Sequence, residues 1–336
     1  MLPLPRGALA RRVLLALPFL APTLAPGQAA AQVPPGWPSR PLRMIVPFPA
    51  GGTTDLLARM MSEGLAQRLG QPVIAENRGG AGGAVGAEIA ARMDPDGYNL
   101  FFATIGSAAI IPNLHARINW NPDNLTPVSM FAEVPNVISV SKRARWRTLA
   151  EMLAEARAKP GELTFASSGI GSSLHLSGEL LKAMAGVDIL HVPFRGGADT
   201  ANEIMGGRVD FGMNNLPSAV ELIRTGEMRG LAITSAQRNA ALPDVPTVAE
   251  TAGFPLADYD ATAWFGLQVP ARTPAGVIER LNAALNATLA EPAVRARLTL
   301  VGARSRGGTP AEFADYIAAE NVKWADVIRR SGAKVE

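Results

Sequence analysis

One stretch constrains this chain more than any other: an apolar run that ends in a proline–glycine loop and reopens as a helix. Residues 44–69 read MIVPFPAGGTTDLLARMMSEGLAQRL. Met44, Ile45 and Val46 form a short buried strand, and Pro47 and Pro49 end its pairing because proline has no N–H to give. Gly51 and Gly52 let the backbone turn and let another group approach it closely. Thr53, Thr54 and Asp55 are helix-start residues, after which Leu57, Met61, Leu65 and Leu69 recur on one face. Unpaired N–H groups at the positive end of a helix dipole then meet the carboxyl edge of a sheet, which makes a seat for an anion. No Gly-Lys-Ser/Thr follows and the G-x-G-x-x-G spacing is missing, so a small carboxylate suits the loop better than a phosphate or nucleotide.

The theme recurs. Pro72–Ala75 predicts a second strand running into the glycine-dense loop Glu76–Gly83. A small-residue helix follows over 84–93, and a third strand over 98–104. Leu163–Ala166, the hydroxyl-rich loop Ser167–Ser173 and a helix marked by Leu176, Leu180 and Met184 repeat the opening unit. Ile189–Pro193, the loop Phe194-Arg195-Gly196-Gly197 and a helix over 198–205 repeat it again. The strand 209–213 is expected to open into a loop at Asn214-Asn215-Leu216-Pro217 before a helix over 218–225. Helices alternating with short apolar strands predict an α/β fold with mostly parallel sheets. In such sheets ligands bind outside the carboxyl ends of the strands, so the loops at 47–55, 77–83 and 104–107 should share one rim. Prolines 112, 122, 127 and 135 predict irregular structure over 105–135, with a strand over 137–140. That strand and 229–234 are expected to cross between two similar lobes. A strand over 262–270 and helices near 274–290, 292–299 and 310–331 complete the chain.

Residues 1–31 read as an export leader: Arg6, Arg11 and Arg12 precede a short apolar stretch, and Ala29-Ala30-Ala31 offers a cleavage site. The stretch is too short for a membrane span, and ordinary secretion fits it better than twin-arginine export. Three of the 32 basic side chains lie in this leader and none of the 29 acidic ones do, so the remainder is balanced. Its charge gives no reason to expect nucleic acid or an anionic membrane as partner. Cysteine is absent, which excludes a lipid-anchored cysteine, disulfides and thiolate chemistry.

Catalytic patterns are sparse. The run Gly169-Ile170-Gly171-Ser172 has the wrong spacing for a nucleophile elbow, and His175 lacks an evident orienting partner for a role as base. His191 reads as a structural histidine in an apolar strand, and His115 as a solvated loop residue. Three scattered histidines argue against zinc. Asp55, Asp210 and Asp260 could converge as acids, although Asp55 is already explained by the helix dipole. Arg195 could clamp a carboxylate, or lie on the surface. Phe48, Phe194 and Trp264 could wall an apolar pocket, core packing being their default role.

VPFPAGGTTD (46–55), ENRGGAGG (76–83), ASSGIGSSLHLSGELLK (166–182), HVPFRGG (191–197) and ALPDVPTVAE (241–250) together resemble the Bug family, periplasmic receptors of tripartite tricarboxylate transporters. Gly79 stands where that family usually carries proline. The resemblance implies a two-lobed Venus-flytrap receptor of the periplasmic-binding-protein type, each lobe a mixed, mostly parallel sheet flanked by helices. Residues 38–138 and 231–336 would form lobe 1, and 139–230 lobe 2. It implies a monomer, without cofactor, metal or catalysis, that takes a small organic acid and delivers it to a membrane permease. Sensory reception for a membrane kinase, and a secreted hydrolase or isomerase, are the alternatives. The resemblance puts the acid's carboxylate on Phe48, Pro49, Ala50, Gly51, Gly52, Thr53, Thr54 and Asp55 from one lobe. From the other come Ala166, Ser167, Ser168, Gly169 and Ser172. Phe194, Arg195, Gly196, Gly197, Asn214 and Asn215 would select the rest of the molecule.

Overall fold

The computed structural model describes Leu2, Pro3 and residues 33–333. The leader expected over 1–31, with its cut near Ala31, lies almost wholly outside the described residues. Strand β1 (Leu42–Val46) lies between β2 (Val73–Asn77) and β3 (Asn99–Thr104), parallel to both. The opening unit forms as its spacing dictates. Gly52, extended at φ −95°, starts helix α1 (Thr53–Leu69), whose Leu57, Met61, Leu65 and Leu69 are buried, and Gly70 stops it in the left-handed conformation. Helix α2 (Ala84–Ala91) follows β2.

The stretch from 105 to 135 departs from the expected irregularity. Gly106–Ile110 is a wide helical turn leading into α3 (Ile111–Leu114), and a strand of 17 residues, β4 (Leu125–Ser141), runs through two prolines. Both prolines sit where the ladder does not need their missing N–H. Beside Pro127 the pairing with β9 (Thr262–Pro270) slips register. At Pro135 the strand leaves that partner, and Asn136 pairs with Asn215 of another strand. The proline cues were real, but they marked a bulge and an exchange of partners rather than the end of a strand.

Strand β4 thereby belongs to both lobes. Its first part, β9, the parallel trio and the two-residue β10 (Arg304–Ser305) form the first sheet. Its second part carries the other, with β7 (Phe211–Asn215) and β8 (Met228–Ile233) antiparallel on either side. Strand β5 (Thr164–Ser167) runs parallel to β7, and β6 (Leu190–Pro193) parallel to β5. Helices α4 (Leu149–Ala158), α5 (Ser173–Ala185), α6 (Gly197–Met205) and α7 (Leu216–Arg224) connect the strands of the second sheet. Helices α8 (Ala275–Ala290), α9 (Pro292–Leu300) and α10 (Pro310–Ser331) complete the chain. Phe101, Phe102, Phe131 and Trp264 anchor the core of the first lobe, and Phe165 and Phe211 stack in the second. Asn214 and Asn215, expected in a loop, are the last two residues of β7. Among the described residues no helix is long and apolar enough to cross a membrane.

Candidate functional site

Four helices start at one place. The N-terminal residues of α1 (Thr53, Thr54), α5 (Ser172, Ser173), α6 (Gly197) and α7 (Asn215 just before it) all line a small chamber between the two sheets. Each follows the carboxyl end of a strand, the position the crevice rule gives to ligands in open α/β sheets. The first-turn N–H groups of a helix have no partner inside it, so four partial positive ends face one space. None of the lining residues is ionisable. The space admits the centres of water-sized molecules over about 20 Å³, room for one or two waters.

The walls are both polar and apolar. Thr53, Thr54, Thr104, Ser168, Ser172, Ser173 and Asn215 supply hydroxyl and amide groups, and Phe48, Pro49, Ile105 and Phe265 contribute apolar surface. Behind α1 the Asp55 carboxylate accepts from the Gly51 N–H at 3.1 Å and from Asn77 Nδ2 at 3.0 Å, and pairs with Arg59. Burial pushes its pKa up, but the hydrogen bonds from Arg59, Gly51 and Asn77 outweigh that and hold it below the usual carboxylate value. Asp55 therefore shapes the loop, and the Gly51 N–H is spent on it.

Backbone meets backbone where the lobes touch. A Cβ on Gly82 would lie 2.0 Å from the Ile170 carbonyl oxygen, and one on Gly106 would lie 2.9 Å from that of Gly171. The glycines of the 76–83 loop allow this approach, and Gly82 itself sits at φ +62°. Gly79 does the same against its own lobe: a Cβ there would fall 2.7 Å from Pro49 Cδ. Across the cleft the Ser218 N–H donates to Thr53 Oγ1 at 3.1 Å. The two lobes are closed on each other.

Of the residues expected at the site, Phe48, Pro49, Gly52, Thr53, Thr54, Ser168, Ser172, Gly197 and Asn215 line this chamber. Gly169, Phe194 and Arg195 line instead an outer cavity of about 980 Å³, which shares Pro49 and Ser168 with the chamber as common walls. Arg195 is exposed there, beside Asp199 and Glu203. Gly196 packs on Pro49, and Ala50, Gly51, Asp55, Ala166, Ser167 and Asn214 lie outside the chamber lining. Asn214 points away: its Nδ2 donates to Ser139 Oγ at 2.8 Å. Ser167 Oγ instead meets His191 Nε2 at 2.7 Å.

The rings of His191 and His175 stack at 4.3 Å, and His175 Nδ1 accepts the Gly171 N–H at 3.3 Å. Both histidines brace the Ser167–Ser172 loop from behind. Burial lowers His175 to about 4, helped by Lys182, and lowers His191 to about 3, helped by His175 and Lys182. His115, expected to be solvated, is half-buried. Its Nε2 is enclosed without a partner, and burial alone lowers its pKa. Asp55, Asp210 and Asp260 do not converge on the chamber; Asp210 accepts from Thr164 instead. Among the described residues no three His, Cys, Asp or Glu side chains could hold a metal together.

Thr104, Ile105, Gly106, Ser173 and Phe265 complete the chamber although none stood among the expected site residues. The crevice rule had already placed 104–107 on the rim. Trp264, the expected wall, is buried against Phe313 and Tyr316, with its Nε1 donating to Glu320. Its neighbour Phe265 faces the chamber, and every β9 residue after Thr262 is buried, so the sequence offers no alternation to tell the two faces apart.

The family model described as tripartite tricarboxylate transporter family receptor matches residues 57–333. Protein BugT of Bordetella pertussis is 36% identical over 305 residues, covering 89% of this chain and 92% of its own. A protein of R. palustris solved with adipate superposes with a TM-score of 0.85 at 36% identity, over 89% of this chain and all of that one. MatC of Rhodopseudomonas palustris, solved with bound malate, gives 0.82 at 32% identity over 87% of this chain and all of its own.

Proposed function

This chain belongs to the tripartite tricarboxylate transporter receptor family, and from that premise we propose that it captures a small organic acid between its lobes and presents it to a membrane permease. The family is one of receptors rather than enzymes, and its fold is the two-lobed periplasmic-binding-protein fold. The observation that carries the reading is the convergence of four helix N-termini on a chamber without one ionisable side chain. Such a space stabilises a negative charge through neutral donors that need not be desolvated as ions.

In this reading the acid's carboxylate sits in the inner chamber among Thr53, Thr54, Ser168, Ser172 and Ser173, and its remainder extends past Pro49 and Ser168 into the outer cavity. Phe194, Arg195 and Asp199 then meet the distal end. One lobe runs as far as Pro135 and resumes at Thr234, and the stretch between them forms the other. The open form engages the acid with α1, and closure adds the amides of α5 and α6, so the acid's greater affinity for the closed form shifts the population. The protein works as a monomer in the periplasm after removal of residues 1–31.

Native mass spectrometry of the purified chain, followed by thermal-shift measurement with a carboxylate panel that includes malate and adipate, tests this. At least one acid should co-purify or raise the melting temperature, and Gly52→Val should abolish that rise. Conversion of the acid into another compound, or full retention of the shift in Gly52→Val, would overturn it.

A further inference from the structure

Asn136 is fully buried in the middle of β4, at the residue where that strand exchanges β9 for β7. It does not line the chamber, yet its polar groups reach three different segments. Its Oδ1 accepts from Nδ2 of Asn215, a chamber wall residue, at 2.6 Å. Its Nδ2 donates to Ser177 Oγ on α5 at 2.7 Å, and the first turn of α5 is another wall. Its backbone N–H donates to Thr234 Oγ1 at 2.7 Å, and its carbonyl accepts the Thr234 N–H at 3.0 Å.

Thr234 lies just past β8, where the chain returns to the first lobe. Its hydroxyl also donates to Ala261 O at 2.7 Å. Tyr259, in the same return segment, donates to the Ser177 carbonyl at 2.8 Å. An amide buried to this degree is tolerated only when its bonds are made, and an aliphatic side chain would fill the position at less cost. We propose that Asn136 is a positioning residue that makes chamber and crossing one unit. The twist between the lobes reaches Asn215 and the start of α5 through it, so the walls take their ligand-binding positions only as the lobes close.

The ligand-binding part of this inference rests on the receptor reading above, and amide hydrogen exchange on the ligand-free chain tests the relay apart from it. Asn136→Ala should speed exchange roughly tenfold in residues 168–174 and 215–218 while β1–β3 stay unchanged. Ser177→Ala, which removes only the acceptor of Asn136 Nδ2, should speed exchange in 168–174 only, and it carries the comparison if the first variant does not fold. Unchanged exchange, an increase confined to 135–137 and 233–235, or an even increase across both sheets would overturn the proposal.

With adipate as probe, Asn136→Ala should weaken binding roughly tenfold, and the double variant with Asn215→Ala should be no weaker than Asn215→Ala alone. Losses that simply add would overturn it. A wild-type chain that binds no member of the carboxylate panel would sink the receptor reading, and the exchange pattern would still decide the relay.

Discussion

Thr53 Oγ1 accepts the backbone N–H of Ser218 at 3.1 Å, so one hydroxyl joins the first turn of a helix in one lobe to the first turn of a helix in the other. Thr53→Val keeps the side chain's shape but removes the acceptor, leaving the Ser218 N–H unpaired in the closed form. Such an orphan costs about 1–3 kcal/mol, and affinity for a bound acid should fall roughly tenfold with little change in urea midpoint. Isothermal titration of the two proteins side by side decides it, and equal affinities would mean this bond does not hold the lobes shut.

Gly82→Ala addresses closure itself. A methyl there would overlap the Ile170 carbonyl oxygen, which belongs to a stretch of backbone and cannot step aside as a flexible side chain would. The variant should remain folded, losing about 1–2 kcal/mol because Gly82 is in a left-handed conformation. Its lobes should stay apart. Small-angle scattering with a saturating acid should show contraction of the wild type and none of the variant. Contraction of both would place the contact elsewhere.

Asp55 should matter to stability above about pH 4. Its folded pKa is lowered, so the stabilisation it brings is present above the unfolded value and is lost as pH falls through the folded one. Asp55→Ala should cost about 1–3 kcal/mol at pH 7, because the Gly51 N–H and the Asn77 amide lose their acceptor. The gap between wild type and variant should narrow in urea unfolding as pH falls from 7 to 3. A constant gap across that range would remove the charge from the explanation.

The stacked histidines give a second pH window with the same sign for a different reason. Both are held neutral by burial, at about 4 for His175 and about 3 for His191, below the unfolded value of 6.5. From pH 6.5 downward the unfolded chain takes up protons that the folded chain refuses, so stability falls with pH, by a few kcal/mol on reaching pH 4. Calorimetry from pH 7 to pH 4 should show this fall, and it should be shallower in His175→Gln. An identical slope in the variant would assign the loss to other groups.

The parts legible in sequence were those set by neighbours along the chain. The β1–α1 unit could be read because its apolar spacing, loop glycines and helix-start residues occur within one stretch. The same holds for the hydroxyl loop before α5. Strand β4 was not legible, because Pro127 and Pro135 break a ladder only where the ladder calls for their N–H, and that depends on which strands lie alongside. Phe265 was passed over for Trp264 because a strand covered on both sides carries no alternation. Asn136 gave no signal at all: its side-chain partners lie 41 and 79 residues away, and the hydroxyl that takes its N–H lies 98 away.

Because a single unbroken strand of 17 residues is the spine of both lobes, any swing between them has to be taken up as elastic bending of a hydrogen-bonded ribbon. A slack tether would make each closing event pay the entropy of freezing loose chain, whereas a sprung ribbon returns to shape with its bonds intact. The lobes are then joined by a flexure of paired backbone rather than by a length of loose chain.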